Sequence, residues 1–310
     1  MIIFRADFSP LTGLQHLRRC VYLASLLKKN NQVLLCVRED KRAAKFLADK
    51  GIPFSLVKDP GKFDCSTAKS IIFFVAPFSK EDALLLQKAK NAGIKTIQVA
   101  SAGEKAQPVD IVVFPLGQTE NALLHHKFRH FNKARRTYRK NIKNIFINLG
   151  DMLPYRELRE IIDTLHRLHL KMKITPGLNL KKADKRNLLK IYPGIHFCGR
   201  SESPARAYFE ADVALIPAGE EVLEAAAVGT PALYFFQENS SEIMSQTCVD
   251  KKIGLKFGKL EDLTTDSFRE AIAPLTLERR QEIGEAGRQL VDGLGMQRFL
   301  KVLKENGIIE

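Results

Sequence analysis

Short apolar runs alternate with amphipathic stretches along most of this chain, and that rhythm predicts its elements. Residues 2–5 read as a strand and 14–28 as an amphipathic helix. Strand 32–37 and helix 41–50 follow, with Gly51 placed to stop that helix. Strand 53–57, the apolar run 71–76, helix 81–92, strand 96–100 and strand 110–114 complete a first series. Runs of four to eight apolar residues separated by helical patterns indicate parallel strands buried on both faces.

Residues 118–143 break the rhythm. Eight Lys or Arg fall between Lys127 and Lys143, and the segment reads as a basic helix or solvated connector. The alternation then restarts. Strands are expected at 144–149, 171–174, 195–198, 213–216 and 232–235. The expected helices are 155–168, 203–211, 220–228, 241–252, 266–273 and one long run, 277–306. Two doubly wound series in tandem predict an α/β protein of two Rossmann-like domains, residues 1–140 and 141–310. They are expected to face a central cleft at the carboxyl ends of both sheets, with the last helices packing back on the first domain.

Length agrees with this division, since 310 residues suit two cores of ordinary size. No apolar run approaches the ~20 residues that a membrane-spanning helix needs. The opening residues read as a strand, not a leader, so a cytoplasmic protein is expected. The five cysteines are scattered and include no Cys-x-x-Cys pair, which points to reduced thiols and not to a disulfide framework or zinc site. A net charge of +14 favours partners bearing phosphate, or weak contact with an anionic membrane, without choosing between them.

Two segments carry candidate chemistry. After the first strand, Gly13 permits a sharp turn, and His16 and Arg19 follow on the first helix. An imidazole with an ordinary pKa near 6.5 can serve as a general base, and Arg19, one turn later, can hold a phosphate or carboxylate. After the strand at 213–216, Gly219 opens a helix whose free N–H groups suit a diphosphate. Glu224, one turn inside, can accept from ribose hydroxyls. The helical spacing of His126 and His130 allows a metal, but no carboxylate or cysteine accompanies them, so no metal is expected. The basic run includes Phe128, Phe131 and Tyr138, yet no nucleic-acid-binding signature accompanies it, so no specific nucleic acid is expected.

These segments resemble a known family. Phe4-Arg5-Ala6-Asp7, then Gly13, His16 and Arg19, then Glu224, Gly229 and Pro231, are similar to motifs of the nucleotide-sugar hydrolase of pseudaminic acid biosynthesis. They also resemble the spore-coat polysaccharide glycosyltransferase-like proteins and, more distantly, the N-acetylglucosaminyltransferase that makes lipid II. The resemblance implies a GT-B fold with no cofactor beyond a nucleotide-sugar substrate, and a glycan or lipid-linked acceptor. It implies His16 as the base, with Gly13, Arg19, Arg129, Gly150, Gly219 and Glu224 in substrate binding. The sequence departs from the family at Gln15, at residues 75–78, around Gly150 and at Glu220, where the family carries serine. These residues lead to a glycosyltransferase of surface-polysaccharide or glycan synthesis. A nucleotide-sugar hydrolase and a non-catalytic relative are the alternatives.

Overall fold

The apolar runs of the first series pair as parallel strands, and in the computed structural model they form one six-stranded sheet. The structure describes residues 1–8, 14–75, 77–100, 105–113, 119–150, 153–177, 180–199, 203–236, 246 and 248–310. The sheet contains β1 (Ile2–Ala6), β2 (Val33–Arg38), β3 (Phe54–Val57), β4 (Ser70–Phe74), β5 (Lys95–Val99) and β6 (Ile111–Val113), in the order β3-β2-β1-β4-β5-β6. All five residues of β1 and of β4 are buried, as expected of central strands covered on both faces. Three helices, α1 (Gln15–Leu27), α2 (Lys41–Leu47) and α3 (Lys80–Asn91), connect them. Asp40 caps α2, and a reciprocal Ser79–Asp82 capping box starts α3.

The second series repeats this plan. Its strands are β7 (Asn144–Ile147), β8 (Lys171–Ile174), β9 (Ile195–Phe197), β10 (Val213–Pro217), β11 (Ala232–Phe236) and β12 (Gly254–Lys259). Their order, β9-β8-β7-β10-β11-β12, is the same permutation as in the first sheet, and every pairing is parallel. Helices α4 (His126–Lys133), α5 (Tyr155–His166), α6 (Lys182–Ile191), α7 (Pro204–Glu210) and α8 (Glu220–Ala227) belong to this half. So do α9 (Thr265–Ile272) and α10 (Leu277–Leu290), while α11 (Gly295–Glu305) follows. Among the described residues no helix is long and apolar enough to cross a membrane.

Several expectations need correction. Helix α6 and strand β12 were not foreseen. Half of the α6 residues are charged and only Leu188 is buried, and β12 contains two glycines and two exposed lysines among its six residues. The long helix expected over 277–306 is two helices. Gly293 adopts φ +72°, and Asp292 accepts the Leu294 N–H at 2.8 Å, so the chain turns between α10 and α11. Half of the helix expected over 241–252, and Gly13, lie outside the described residues, while 246 and 248–250 are helical.

The chain forms two compact units, Met1–Leu123 with Gly295–Glu310, and Leu124–Leu294. The division therefore falls ahead of the expected boundary at 140, and α11 belongs to the first unit. Within that unit α11 starts at Gly295, where a Cβ would collide with the Ala122 carbonyl, and Arg298 donates to the Glu120 carbonyl at 2.6 Å.

The basic segment is a solvated connector only in part: Lys127, Lys133, Arg135, Arg139, Lys140 and Lys143 are exposed, while other side chains bind within the unit. Asn132 Nδ2 donates to the carbonyls of Ala227, Arg288 and Val291 at 2.8–3.1 Å. The Arg136 guanidinium donates to Phe209 O at 2.8 Å and Ala211 O at 2.5 Å, and Arg139 pairs with buried Asp212 at 2.9 Å. These acceptors lie at the carboxyl ends of α7, α8 and α10, where helices leave carbonyls without intrahelical partners. Burial lowers the Arg136 pKa to about 10, so it stays cationic at neutral pH. Asn132 and Arg136 therefore cap helix ends of their own unit.

Candidate functional site

In each sheet the strand order reverses once, between β1 and β4 in the first and between β7 and β10 in the second. Open α/β sheets bind ligands outside the carboxyl ends of the two strands that flank such a reversal. The candidate residues are described within each unit on this basis.

At the first reversal, the last residues of β1 build a buried ion network. Arg5 is fully buried and donates from Nε to Asp82 Oδ1 at 2.7 Å. Its two terminal nitrogens grip both oxygens of Asp7 at 2.5 Å. Burial would lower the Arg5 pKa, but the hydrogen bond and charge of Asp7, with the charge of Asp82, raise it above the ordinary arginine value. Asp7 also accepts the Arg38 backbone N–H at 2.7 Å, so three elements are tied at the strand end.

His16 stands in the first turn of α1 and is 5% exposed. Burial, and next the Arg19 charge, depress its pKa to about 3, while the Asp7 charge opposes them. The expectation of an ordinary imidazole near pKa 6.5 is therefore corrected: at neutral pH the ring is uncharged, because burial disfavours the cation. A neutral imidazole keeps a lone pair for proton abstraction, at reduced basicity. Arg19, half-buried on the same helix, adds positive charge beside it.

At the second reversal, β7 ends in Asn148 and Gly150. Asn148 Oδ1 accepts the Gly150 N–H at 3.2 Å, and Gly150 takes φ +82°, a conformation that side chains with a Cβ rarely adopt. β10 ends before Gly219, the N-cap of α8, whose backbone is extended. A Cβ on Gly219 would lie 2.9 Å from a Glu221 oxygen, so the carboxylate folds back over the helix start. Glu221 is buried, Glu220 Oε1 is screened from solvent, and Glu224 is half-buried one turn on.

Tyr208 of α7 connects these residues. It is fully buried, and its ring packs edge-on against Phe146 at 4.5 Å. Burial raises its pKa well above the ordinary value, as do the nearby charges of Glu224 and Glu221, and its buried hydroxyl makes no hydrogen bond among the described residues. Gly150 and Gly219 thus follow strands at one end of the second sheet, and Glu224 lies near a phenol that sequence reading missed. The tyrosine has no local motif; only the packing of α7 brings it there.

Arg129 sits elsewhere in this unit, on α4, where its backbone packs against Gly293. His126 and His130 lie exposed on the same helix, and among the described residues no cluster of His, Cys, Asp or Glu is arranged to hold a metal. The five cysteines are free thiols, four of them buried.

No family model matches the chain, and no curated protein matches it. Solved structures do. The crystal structure of Acinetobacter baumannii MurG aligns over 98% of this chain and 99% of its own, with TM-score 0.65 and 16% identity. The spinosyn rhamnosyltransferase SpnG, complexed with spinosyn aglycone, covers 97% of this chain and 100% of its own at TM-score 0.62 and 11% identity. The UDP-GlcNAc 2-epimerase of Neisseria meningitidis, bound to UDP-GlcNAc, covers 98% and 100% at TM-score 0.57 and 12% identity.

The chain has a GT-B fold. The twice-repeated strand order within one chain is the feature that the GT-B architecture requires, and it holds here at sequence identities too low to carry any residue's role.

Proposed function

We propose that this GT-B protein is a nucleotide-sugar-dependent glycosyltransferase of surface-polysaccharide or glycan biosynthesis, working without a metal in the cytoplasm. The observation that carries the reading is His16, buried and neutral at the strand reversal of the first unit; in the second unit Glu224 stands near Tyr208. A bound UDP-GlcNAc in a structural neighbour supports a nucleotide-sugar as ligand, and an aglycone in another supports a hydroxyl-bearing acceptor.

In this reading His16 removes the proton from an acceptor hydroxyl as its oxygen attacks the anomeric carbon. The bond from that carbon to the diphosphate breaks, and the nucleoside diphosphate leaves with the electron pair. Arg19 and Arg129 serve anionic groups, Glu224 accepts from ribose hydroxyls, and the backbone at Gly13, Gly150 and Gly219 admits the substrate closely. The acceptor is a glycan or lipid-linked sugar. With water in place of the acceptor, the same groups perform the hydrolysis typical of the pseudaminic acid pathway enzyme that the sequence resembles.

A second reading, a relative that keeps the fold without turnover, is favoured by Glu220 and Glu221 on the first turn of α8, where carboxylates oppose a diphosphate. Incubation with UDP-, CMP-, GDP- and dTDP-sugars, with and without acceptor glycans, separates the readings through nucleotide release. Turnover lost in His16→Ala is expected. No turnover with any donor, together with no calorimetric heat from any nucleoside diphosphate, would overturn the enzymatic reading.

A further inference from the structure

We infer that the exposed face of α6 is a docking surface for an anionic lipid bilayer. The inference is independent of the catalytic reading. It starts from the placement of charge: the basic run at 127–143 keeps six of its eight Lys and Arg exposed but carries no exposed large hydrophobic side chain beside them. A second basic segment combines exposed charge with exposed aliphatic side chains, although its Lys173 pairs with Glu210 at 3.1 Å. Between Lys171 and His196 there are seven Lys or Arg and one acid, Asp184. That acid is committed, since its carboxylate accepts the Lys181 backbone N–H at 3.1 Å in the start of α6.

The helical projection of α6 sorts its residues. Leu188 points into the core, fully buried. Lys182, Arg186 and Lys190 recur at intervals of four on the opposite side and are exposed. Leu189 lies beside them, following Arg186 by three positions, and is 48% exposed; Ile191 at the helix end is 49% exposed. These are two of only four large hydrophobic side chains exposed to this degree among the described residues. The helix flanks β9, an edge strand, so no further strand covers that side of the sheet.

Cationic side chains interleaved with bare aliphatic ones match a surface that presents phosphate outside and hydrocarbon beneath. Nucleic acid would be served by the charges but not by leucine and isoleucine, and α6 has no aromatic residue on which a base could stack. The bilayer is therefore the occupant that uses both halves of the face.

The chain has no tryptophan, so Leu189→Trp installs a single reporter in the full-length protein. Vesicles of phosphatidylcholine with about one-third phosphatidylglycerol, titrated at low salt, are expected to shift its emission to the blue. Pure phosphatidylcholine vesicles should not, nor should the anionic vesicles move a Leu84→Trp reporter on α3, an equally exposed leucine of the first unit. The triple variant Lys182→Glu, Arg186→Glu, Lys190→Glu should lose at least tenfold in vesicle co-sedimentation, and Leu189→Ser several-fold with its charge unaltered. No blue shift at position 189, equal shifts at 84 and 189, or unchanged sedimentation of the triple variant would overturn the inference. So would tighter binding of the native chain to poly-uridine RNA than to the anionic vesicles, lost in the same triple variant. Circular dichroism of each variant confirms that the exposed substitutions leave the fold intact.

Discussion

Arg5 Nε lies 2.7 Å from Asp82 Oδ1, joining the first strand to the third helix across 77 residues of sequence. Both side chains are buried, and the same guanidinium holds Asp7. One cation therefore balances two carboxylates where the first sheet reverses.

Removing that cation leaves Asp82 buried without its partner. Arg5→Leu is expected to cost about 3–5 kcal/mol of unfolding free energy, the usual price of an orphaned buried charge. Urea unfolding of both proteins measures it. A loss below about 1 kcal/mol would show that the network relaxes into solvent.

Gly287 on α10 approaches α8 so closely that a Cβ would sit 2.9 Å from the Ala226 Cα and carbonyl oxygen. Both atoms are backbone and cannot rotate away. Gly287→Ala should therefore destabilise the second unit by about 1–3 kcal/mol, despite the better helix propensity of alanine. Thermal unfolding that stays level or rises would contradict the close approach.

His16 predicts a pH dependence of stability. Its pKa is about 3 in the folded protein and near 6.5 when unfolded, so the two states bind protons equally above pH ~7. As pH falls below 6.5, the unfolded chain takes up a proton that the folded chain refuses. Stability should drop through this window, by about 2 kcal/mol between pH 7 and pH 5. His16→Gln should lack that part of the slope. Matching pH profiles for the two proteins would mean that His16 accepts its proton in place.

Glu220 tests which ligand the start of α8 accepts. If a diphosphate docks there, the screened carboxylate repels it, and Glu220→Gln should tighten nucleoside diphosphate binding by roughly tenfold or more in calorimetry. Unchanged or weaker binding would place the diphosphate elsewhere.

Much of this fold is legible in the chain because local hydrophobic period fixes it. Strands such as β1, β4 and β10 are buried at every position and almost wholly apolar, since parallel strands bury both faces, and the turns at Gly51, Gly150 and Gly229 announce themselves through residues that tolerate positive φ. Helix α6 and strand β12 escaped because each shows the core too narrow a stripe for a periodic signal.

The candidate site divides in the same way. His16, Gly150, Gly219 and Glu224 were readable from their places after strands. Sequence alone set their chemical types and their positions at strand ends. It did not set how they ionise or what surrounds them, because those properties depend on burial and on neighbours distant in sequence. Tertiary structure alone put His16 out of water and lowered its pKa, brought Tyr208 beside Glu224, and bound Arg5 to Asp82. It alone turned Arg136 from a surface charge into a cap for the carbonyls of Phe209 and Ala211. A residue's charge is written in the chain, but desolvation and partnership, which decide what that charge does, arise only when separate segments pack together.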